Sequence, residues 1–375
     1  MKKRKNLTLI FKHFEKEHLG KDVFQVPYYL GKIHNLDVTI VCPDTETNRA
    51  LGDSVRGVKI ERIRSKKNIS ESRHFYLNSN VLKYLLRNAW KINYLMSIHG
   101  RWQVILMLFI YKLLNPFGKT YLKLDGGVTI LDIAKYPLRK RPMLYFWINR
   151  INYMSTEARE VFDKLIKIKA IKRTKICIVP NGFDEELLAQ TNIKIRTFQE
   201  KENLIITVAR LGTYPKNTEM ILRAAEKLNL KDWKIILVGP IEKVEQDFQQ
   251  KIDVFYKNNP HLKDKVVFTG PIFDKSKLWE YYNRAKVFLL TSEYESYATV
   301  YAEAYRFQNY IVTTGVVGAK DVIQNGFGKI IQGDIDFQQA LQDIIDGKIN
   351  LESLSITSLR EDFSWEKLVS VIELK

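Results

Sequence analysis

The sequence predicts an α/β protein built from two doubly wound domains. Its 375 residues are too many for one ordinary hydrophobic core, and 45% of them are apolar, which is enough for two. Short apolar runs alternate with amphipathic segments, most regularly in the carboxyl-terminal half. Such alternation is typical of parallel strands joined by crossover helices.

Strand-like runs mark the amino-terminal half of the chain. They are LTLIF (7–11), VTIVCP (38–43), VKIERI (58–63), YLMSIH (94–99), KTYLKLD (119–125) and YMST (153–156). The segment WQVILMLFIYKLLNPF (102–117) has ten uncharged residues before Lys112. A membrane span needs roughly 20, so this segment is predicted to be either a core helix or an interfacial one.

The carboxyl-terminal half repeats the pattern more cleanly. Its strand-like runs are LIITVA (204–209), KIILVG (234–239), KVVFTG (265–270), VFLLTS (287–292) and YIVTT (310–314). Helices are predicted from Asn217, near 244–256, near 276–283 and from Ala298. The predicted domains are 1–185 and 186–360, with the polar tract 190–203 as linker and a terminal helix within 361–375.

The segment TSEYESYATVYAEA (291–304) carries the strongest functional signal. It places Glu295 and Glu303 eight positions apart, across the junction of a predicted strand and helix. At ~1.5 Å of rise per helical residue, the two carboxylates would stand about 10 Å apart. Free N–H groups of the first helical turn would lie between them, which suits a pyrophosphate with a sugar on either side. The alternative is a surface helix with two solvated charges.

A second charged turn precedes that pair by about eighty residues. In IITVARLGTYPKN (205–217), Arg210 and Lys216 follow a buried strand, and Asn217 is a candidate N-cap for the next helix. Open α/β sheets bind ligands at the carboxyl ends of their strands. Two cations there favour an anionic ligand, although an ordinary basic loop would have the same composition.

These segments resemble the retaining nucleotide-sugar glycosyltransferases of family 4. The resemblance covers most of the carboxyl-terminal half and rests on VPNGFD (179–184), VARLGTYPKN (208–217), KIILVGP (234–240), VVFTGPI (266–272) and the glutamate pair. It implies the GT-B fold, in which two Rossmann-like domains face a central cleft and the final helix, here within 361–375, packs back on the first domain. It also implies that a hexose or N-acetylhexosamine passes from a nucleotide-diphosphate sugar to a glycan or lipid-linked acceptor, with retention of configuration. Many relatives act in cell-surface polysaccharide assembly.

The resemblance also implies roles for individual residues. Arg210 and Lys216 would hold the donor diphosphate and stabilise its charge as it leaves, Glu303 would bind the ribose, and Glu295 would bind hydroxyls of the transferred sugar. The family often has Gly-Phe-Gly after the first glutamate. This chain departs from that pattern, and the neighbouring residues predicted to bind the donor are Ser296, Tyr297, Ala298 and Thr299.

Three residues of the first domain are further candidates. His99 and Asp125 each end a strand-like run, where the family commonly places a catalytic histidine or aspartate. KLDGG is the nearer match, so Asp125 is predicted to orient the donor sugar or the acceptor, and His99 to lie on the acceptor side. Gly20 lies in the loop that the family directs at the diphosphate. Strand-end caps and a plain helix start are the alternatives.

The charge distribution differs between the two halves. Residues 1–180 carry 35 Lys and Arg against 14 Asp and Glu, whereas residues 181–375 carry 25 against 28. In the family the first domain receives the acceptor, so its basic excess predicts peripheral contact with an anionic membrane. Solubility or a nucleic-acid surface are alternatives, but no nucleic-acid-binding motif accompanies the charges, and no nucleic-acid partner is predicted.

The cysteines, the histidines and the one Asp-x-Asp pair do not predict a metal site. Cys42 and Cys177 suit reduced thiols, the six histidines lack metal-ligand spacing, and Asp334 with Asp336 suit a helix cap. No metal or other cofactor is therefore expected.

MKKRKN leads into a strand-like run without a signal-peptide pattern, which predicts a cytoplasmic, at most peripheral, protein. Competing functions are a nucleotide-sugar epimerase, an inverting GT-B transferase, and a non-enzymatic basic protein that binds membrane or nucleic acid.

Overall fold

A computed structural model describes residues 4–64, 75–124, 141–167, 175–241, 246–323, 327–353 and 363–374. The chain forms two compact units. The first comprises Met1–Asp184 and Ser364–Lys375, and the second comprises Glu185–Phe363.

The polar tract 190–203 lies inside the second unit. Phe198 and Lys201 are buried there. The side chain of Asn283 accepts a hydrogen bond from the N–H of Arg196 and donates one to the carbonyl of Lys194. The prediction that this tract is a linker is therefore wrong, because these tertiary contacts outweigh its polar composition.

A single eight-stranded sheet organises the first unit. Its strands are β1 (Asn6–Ile10), β2 (Asp37–Pro43), β3 (Ser54–Val55), β4 (Val58–Ile63), β5 (Tyr94–Ile98), β6 (Lys119–Lys123), β7 (Tyr153–Thr156) and β8 (Ile176–Ile178). They lie in the order β3-β4-β2-β1-β5-β6-β7-β8, and every neighbouring pair is parallel except β3 with β4. The strand order reverses between β1 and β5.

Helices connect these strands. They are α1 (Asp22–His34), α2 (Glu46–Arg49), α3 (Ser79–Asn88), α4 (Trp102–Leu114), α5 (Arg141–Ile148) and α6 (Arg159–Lys167). Helix α4 buries Val104, Met107 and Leu108, as the prediction of a core helix requires. Its last turn differs, because Leu113 and Leu114 are exposed.

The second unit contains a six-stranded, wholly parallel sheet. Its strands are β9 (Glu202–Val208), β10 (Lys234–Val238), β11 (Val266–Gly270), β12 (Ala285–Leu290), β13 (Tyr310–Thr314) and β14 (Gly328–Ile331). They lie in the order β11-β10-β9-β12-β13-β14, so the order reverses between β9 and β12. The helices are α7 (Glu185–Ala189), α8 (Thr218–Ala225), α9 (Gln246–Asn258), α10 (Lys275–Arg284), α11 (Val300–Arg306), α12 (Ala319–Val322) and α13 (Asp334–Ile345). The predicted pair of Rossmann-like domains is confirmed.

The last helix of the chain, α14 (Trp365–Val369), belongs to the first unit. It is shorter than the predicted segment. Trp365 and Val369 join the core cluster that also contains Phe24 of α1, and the ring of His34 lies 2.8 Å from the carbonyl oxygen of Ile372. The end of the chain is thereby fixed to α1.

Candidate functional site

Two turns meet at the centre of the second sheet. One follows β9 and carries Lys216, and the other follows β12 and begins with Thr291. The Thr291 hydroxyl donates a hydrogen bond to the Lys216 carbonyl at 2.9 Å, and the Glu293 N–H donates one to the Pro215 carbonyl at 2.9 Å. Because β9 and β12 flank the reversal of strand order, these turns lie where open α/β sheets bind ligands.

The sequence of the turn after β9 determines its backbone conformation at two positions, Gly212 and Asn217. Gly212 has φ +77°, and a Cβ there would lie 2.4 Å from the Phe248 ring, so glycine is required on both counts. The Gly212 N–H donates to the Thr218 hydroxyl at 3.0 Å. Asn217 adopts left-handed backbone, and its side chain makes no capping hydrogen bond. The predicted side-chain cap is therefore wrong, since capping residues are typically extended.

Lys216 and Glu295 form an ion pair between Nζ and Oε1. Their side chains are 18% and 13% exposed, and the Ser292 hydroxyl donates to the same carboxylate oxygen at 2.8 Å. The structure thus brings together two residues that lie 79 positions apart in the sequence. Arg210 is exposed on the turn that carries Lys216, and its carbonyl accepts a hydrogen bond from Thr213.

Glu303 forms a second carboxylate cluster. Its Oε1 lies 2.5 Å from Lys275 Nζ and accepts a hydrogen bond from the Trp279 indole N–H at 3.1 Å. The Glu303 side chain is 10% exposed, whereas that of Lys275 is 45% exposed. Helix α11 begins at Val300 and not at the predicted Ala298, so Glu303 lies in its first turn.

Sequence reasoning missed Lys275 and Trp279. Both lie on α10, 28 and 24 positions before Glu303. The available signal was the position of Lys275 at the start of an amphipathic helix that follows the strand-like run 265–270. No local pattern connects that helix to Glu303, because the contact depends on the packing of α10 against α11.

The segment between the two glutamates is packed into the second unit. Tyr297 and Ala298 are buried, Ser296 is half-buried and Thr299 is exposed. The Tyr297 ring lies against Gly318, where φ is +84° and a Cβ would approach the ring to 2.5 Å. Because Tyr297 and Ala298 are only 3% and 6% exposed, Ser296 and Thr299 carry most of the accessible surface of this segment.

In the first unit, His99 lies where the strand order reverses. It follows β5 with φ +72°, an uncommon conformation for a residue other than glycine. Its N–H donates to the Lys123 carbonyl at 3.0 Å, and its ring centroid lies 5.9 Å from that of Phe11. Asp125, the other predicted candidate at this edge, lies outside the described residues.

A buried charge cluster lies at the same edge, and the sequence did not indicate it. Lys123 ends β6 and is fully buried, and its Nζ lies 2.9 Å from Glu157 and 3.2 Å from Asp22. Burial lowers the pKa of Lys123, but the charges of Glu157 and Asp22 outweigh this effect and raise it. Gly20 lies two residues before Asp22 in open space, since a Cβ there would meet no atom within 4 Å.

The other sequence predictions concern metals, thiols and membranes. Within the described ranges, no three His, Cys, Asp or Glu side chains form a potential metal site. Burial raises the pKa of Cys42 to about 12 and that of Cys177 to about 11. Among the described residues, no helix combines the length and the apolar character that crossing a bilayer requires. Asp334 pairs with Arg223 and Asp336 with Lys329.

Residues 189–359 match the model of the family described as Glycosyl transferases group 1. This part of the chain is similar to that family. The match covers most of the second unit, including Lys216, Glu295, Lys275 and Glu303. The resemblance inferred from the motifs is thus confirmed at the level of group 1, and assignment to family 4 stays a prediction.

Two curated relatives carry related descriptions. The amylovoran biosynthesis glycosyltransferase AmsD of Erwinia amylovora is 27% identical over 171 residues, which cover 44% of this chain and 43% of that protein. The capsular polysaccharide biosynthesis glycosyltransferase CapM of Staphylococcus aureus is 25% identical over 203 residues, or 52% and 51% of the two chains. The chain thus spans about half the length of the curated relatives it matches.

Solved structures match the whole chain. Sucrose-phosphate synthase from Thermosynechococcus elongatus superposes with a TM-score of 0.72 at 17% identity, over 98% of this chain and 97% of that one. HepE of Anabaena, in complex with UDP and glucose, gives a TM-score of 0.67 at 14% identity over 98% of both chains. At these identities the likeness shows the fold alone, and it confirms the GT-B fold.

Proposed function

We propose that this protein is a glycosyltransferase that binds a nucleotide-diphosphate sugar at the reversal point of its second sheet. One observation carries the proposal: Lys216 and Glu295 meet at that point from two neighbouring turns, and each remains partly exposed. The match of residues 189–359 to the group 1 glycosyltransferases supports the same reading.

In this proposal the donor diphosphate takes the place of a protein carboxylate. The ammonium group of Lys216 is neutralised by Glu295 in the structure. A diphosphate carries more negative charge and more acceptor oxygens, so it competes for Lys216, with Arg210 on the same turn as a second cation. Glu295 is then released to accept hydrogen bonds from hydroxyls of the transferred sugar.

Glu303 is proposed to bind the ribose. A carboxylate can accept hydrogen bonds from two vicinal hydroxyls, and Lys275 with Trp279 holds that of Glu303 in place. The segment Ser296–Thr299 would contribute to donor binding mainly through Ser296 and Thr299, which are its accessible residues.

The proposed reaction transfers a hexose or N-acetylhexosamine with retention of configuration. The acceptor oxygen bonds to the anomeric carbon while the bond from that carbon to the diphosphate oxygen breaks. The bonding electron pair leaves with the diphosphate, and the acceptor proton passes to it on the same face of the sugar. Lys216 and Arg210 stabilise the charge that develops on the leaving group, without a metal ion. Asp125 is proposed to orient the donor sugar or the acceptor, and His99 to lie on the acceptor side.

A glycan or lipid-linked acceptor in cell-surface polysaccharide assembly is the proposed context. The printed names of AmsD and CapM, which concern amylovoran and capsular polysaccharide, support it. The basic excess of residues 1–180 supports peripheral contact with an anionic membrane, where such acceptors are presented.

The test is a screen of nucleotide sugars with product identification by mass spectrometry. Wild type should consume one nucleotide sugar, and Lys216→Met should lower that rate by about 100-fold, a typical loss for one electrostatic group in an active site. Lys251→Met is the matched control, because Lys251 forms an exposed ion pair with Glu219 at 3.0 Å in the same unit.

Three outcomes would contradict parts of the proposal. Equal rates for wild type and Lys216→Met would remove the role of Lys216. Isomerisation of the donor without any acceptor would indicate an epimerase. A product of inverted anomeric configuration, identified by NMR, would overturn retention.

A further inference from the structure

The first unit exposes a group of apolar side chains on one surface, called here the α3–α5 face. Phe117 is 94% exposed and Trp90 is 70% exposed, which is unusual for side chains of this size. The members of the face come from α3, the turn after it, the end of α4 and α5. They are Leu86, Trp90, Leu113, Phe117, Met143 and Phe146.

Hydrogen bonds and ring contacts join these elements into one surface. The Asn115 side chain, at the end of α4, donates to the Ala89 and Ile92 carbonyls at 2.9 Å each, which fixes the α4 end beside Trp90. At the other side, the Phe109 ring of α4 contacts the Phe146 ring of α5 edge-on, with centroids 5.6 Å apart. The exposed tips are therefore held by an ordered framework.

The chain segments that form this face carry only positive formal charges. Residues 79–119 and 141–150 contain eight Lys and Arg and no Asp or Glu. Lys91 lies 4.9 Å from the centre of the Trp90 ring, and Arg150 lies 4.6 Å from that of Phe146. Lys112 donates to the carbonyls of Pro116 and Gly118 at 2.6 and 2.7 Å, so its charge lies beside Phe117.

We propose that the α3–α5 face docks on the surface of a bilayer that contains anionic phospholipid. Aromatic and aliphatic tips enter the boundary between head groups and acyl chains, while the surrounding cations bind lipid phosphates. Helix α4 is then both a core helix and an interfacial helix, the two alternatives that its sequence allowed. Its first turns pack in the core, and its last turn with Phe117 reaches the membrane.

The chemistry of the face favours lipid over other partners. Two copies of the chain that met through it would bring the positive charges of these segments together, which is unfavourable. A nucleic acid would satisfy the cations but would place Leu86, Leu113 and Met143 against hydrated phosphates. An anionic bilayer satisfies both the cations and the apolar tips.

This inference names the membrane contact within the proposed function, yet its test does not need catalysis. Flotation with vesicles of phosphatidylcholine and phosphatidylglycerol, at a ratio of 7:3, measures binding of the full chain without donor or acceptor. We expect binding that weakens as salt rises, because surface charges are screened. We expect at least tenfold weaker binding to vesicles of phosphatidylcholine alone.

The deciding variant is Trp90→Ser with Phe117→Ser. Both side chains point to solvent, so the fold should persist, and unchanged thermal unfolding verifies this. Anionic-vesicle affinity should fall at least tenfold. The matched control is Val254→Ser with Ile335→Ser, which removes two exposed apolar side chains of the second unit and should leave vesicle binding unchanged.

Several results would overturn the inference. They are equal vesicle binding by wild type and the Trp90/Phe117 variant, no binding to anionic vesicles at all, a dimer that the variant dissociates, or binding of duplex DNA in preference to vesicles. Nucleotide binding, measured separately by thermal shift, reports on the proposed transferase site. The membrane inference and the proposed function can therefore fail independently.

Discussion

The two units place lysine–carboxylate clusters at the same edge of their sheets but bury them differently. In the first unit, Lys123 is wholly enclosed, and its partner Glu157 is 3% exposed. In the second unit, Lys216 and Lys275 keep 18% and 45% of their side chains exposed. The same residue types therefore form a closed cluster in one unit and open pairs in the other.

This difference separates structural charges from charges that can bind a ligand. A buried ion pair whose partners are satisfied by the protein cannot exchange them without a large desolvation cost. An open pair keeps part of its surface in water, so it can exchange its carboxylate partner for a diphosphate at a lower desolvation cost. Burial, and not residue type, thus assigns the candidate donor site to the second unit.

The largest expected effect is on the closed cluster. Lys123→Met leaves Glu157 and Asp22 as an uncompensated pair of carboxylates, which should lower the free energy of unfolding of the first unit by about 3–5 kcal/mol. Urea denaturation measures it. The double variant Lys123→Met/Glu157→Leu should recover most of that loss, and a single variant as stable as wild type would contradict the closed-cluster account.

In the open clusters the expected effect is on ligand binding. Glu303→Gln keeps a group that can accept the Trp279 hydrogen bond but loses its charge, and nucleoside-diphosphate affinity should fall about 10- to 100-fold. Comparing UDP or GDP with its 2′,3′-dideoxy analogue tests the ribose contact. Wild type should distinguish the two ligands by calorimetry, and the variant should not. Equal discrimination by both proteins would rule out the ribose role.

The first unit also buries His18 near the same edge, which should give a pH-dependent stability. Burial, followed by the charge of Lys21, lowers the pKa of His18 to about 4. The unfolded chain, with a histidine pKa near 6.5, therefore binds the proton first, so stability should rise from about pH 4 to pH 6.5 and level off above.

After allowance for solvent screening, the His18 contribution should be about 1–2 kcal/mol. Urea titrations at several pH values should show it. His18→Asn should flatten the rise in stability with pH. His261→Asn is the control, because His261 lies in the second unit, and it should leave the rise unchanged. If the free energy of unfolding of His18→Asn still rises between about pH 4 and pH 6.5 as in wild type, other groups cause that rise.

The smallest expected effect is that of Lys275→Met on stability. Because the Lys275 side chain is 45% exposed, its loss should change the free energy of unfolding by less than about 1 kcal/mol. Nucleoside-diphosphate affinity should fall several-fold, since Glu303 loses the cation that positions it. A stability loss as large as that of Lys123→Met would erase the distinction between open and closed clusters.

Local sequence patterns were sufficient for most of the fold. The runs at 58–63, 153–156 and 310–314 coincide with β4, β7 and β13, because apolar and β-branched residues mark parallel strands directly. The short strands β3, β8 and β14 were missed. So was the packed state of residues 190–203, since Asn283 lies more than 80 positions from them.

The candidate site was predictable only where its residues flank recognisable strands. Lys216 and Glu295 follow β9 and β12, so the alternation of strands and helices placed them at one edge. Lys275 and Trp279 reach Glu303 through helix packing, and Lys123 meets Glu157 across 34 positions. No periodicity encodes those contacts, because they arise only when the elements assemble.

The most direct test of the central claim is a calorimetric titration of wild type, Lys216→Met and Lys251→Met with UDP and GDP. We predict that one of these nucleotides binds wild type and the Lys251→Met control equally, and binds Lys216→Met about 10- to 100-fold more weakly, the loss of one charge-assisted contact. Equal affinity for all three proteins, or no binding of either nucleotide to wild type, would contradict the placement of the donor site at the Lys216–Glu295 pair.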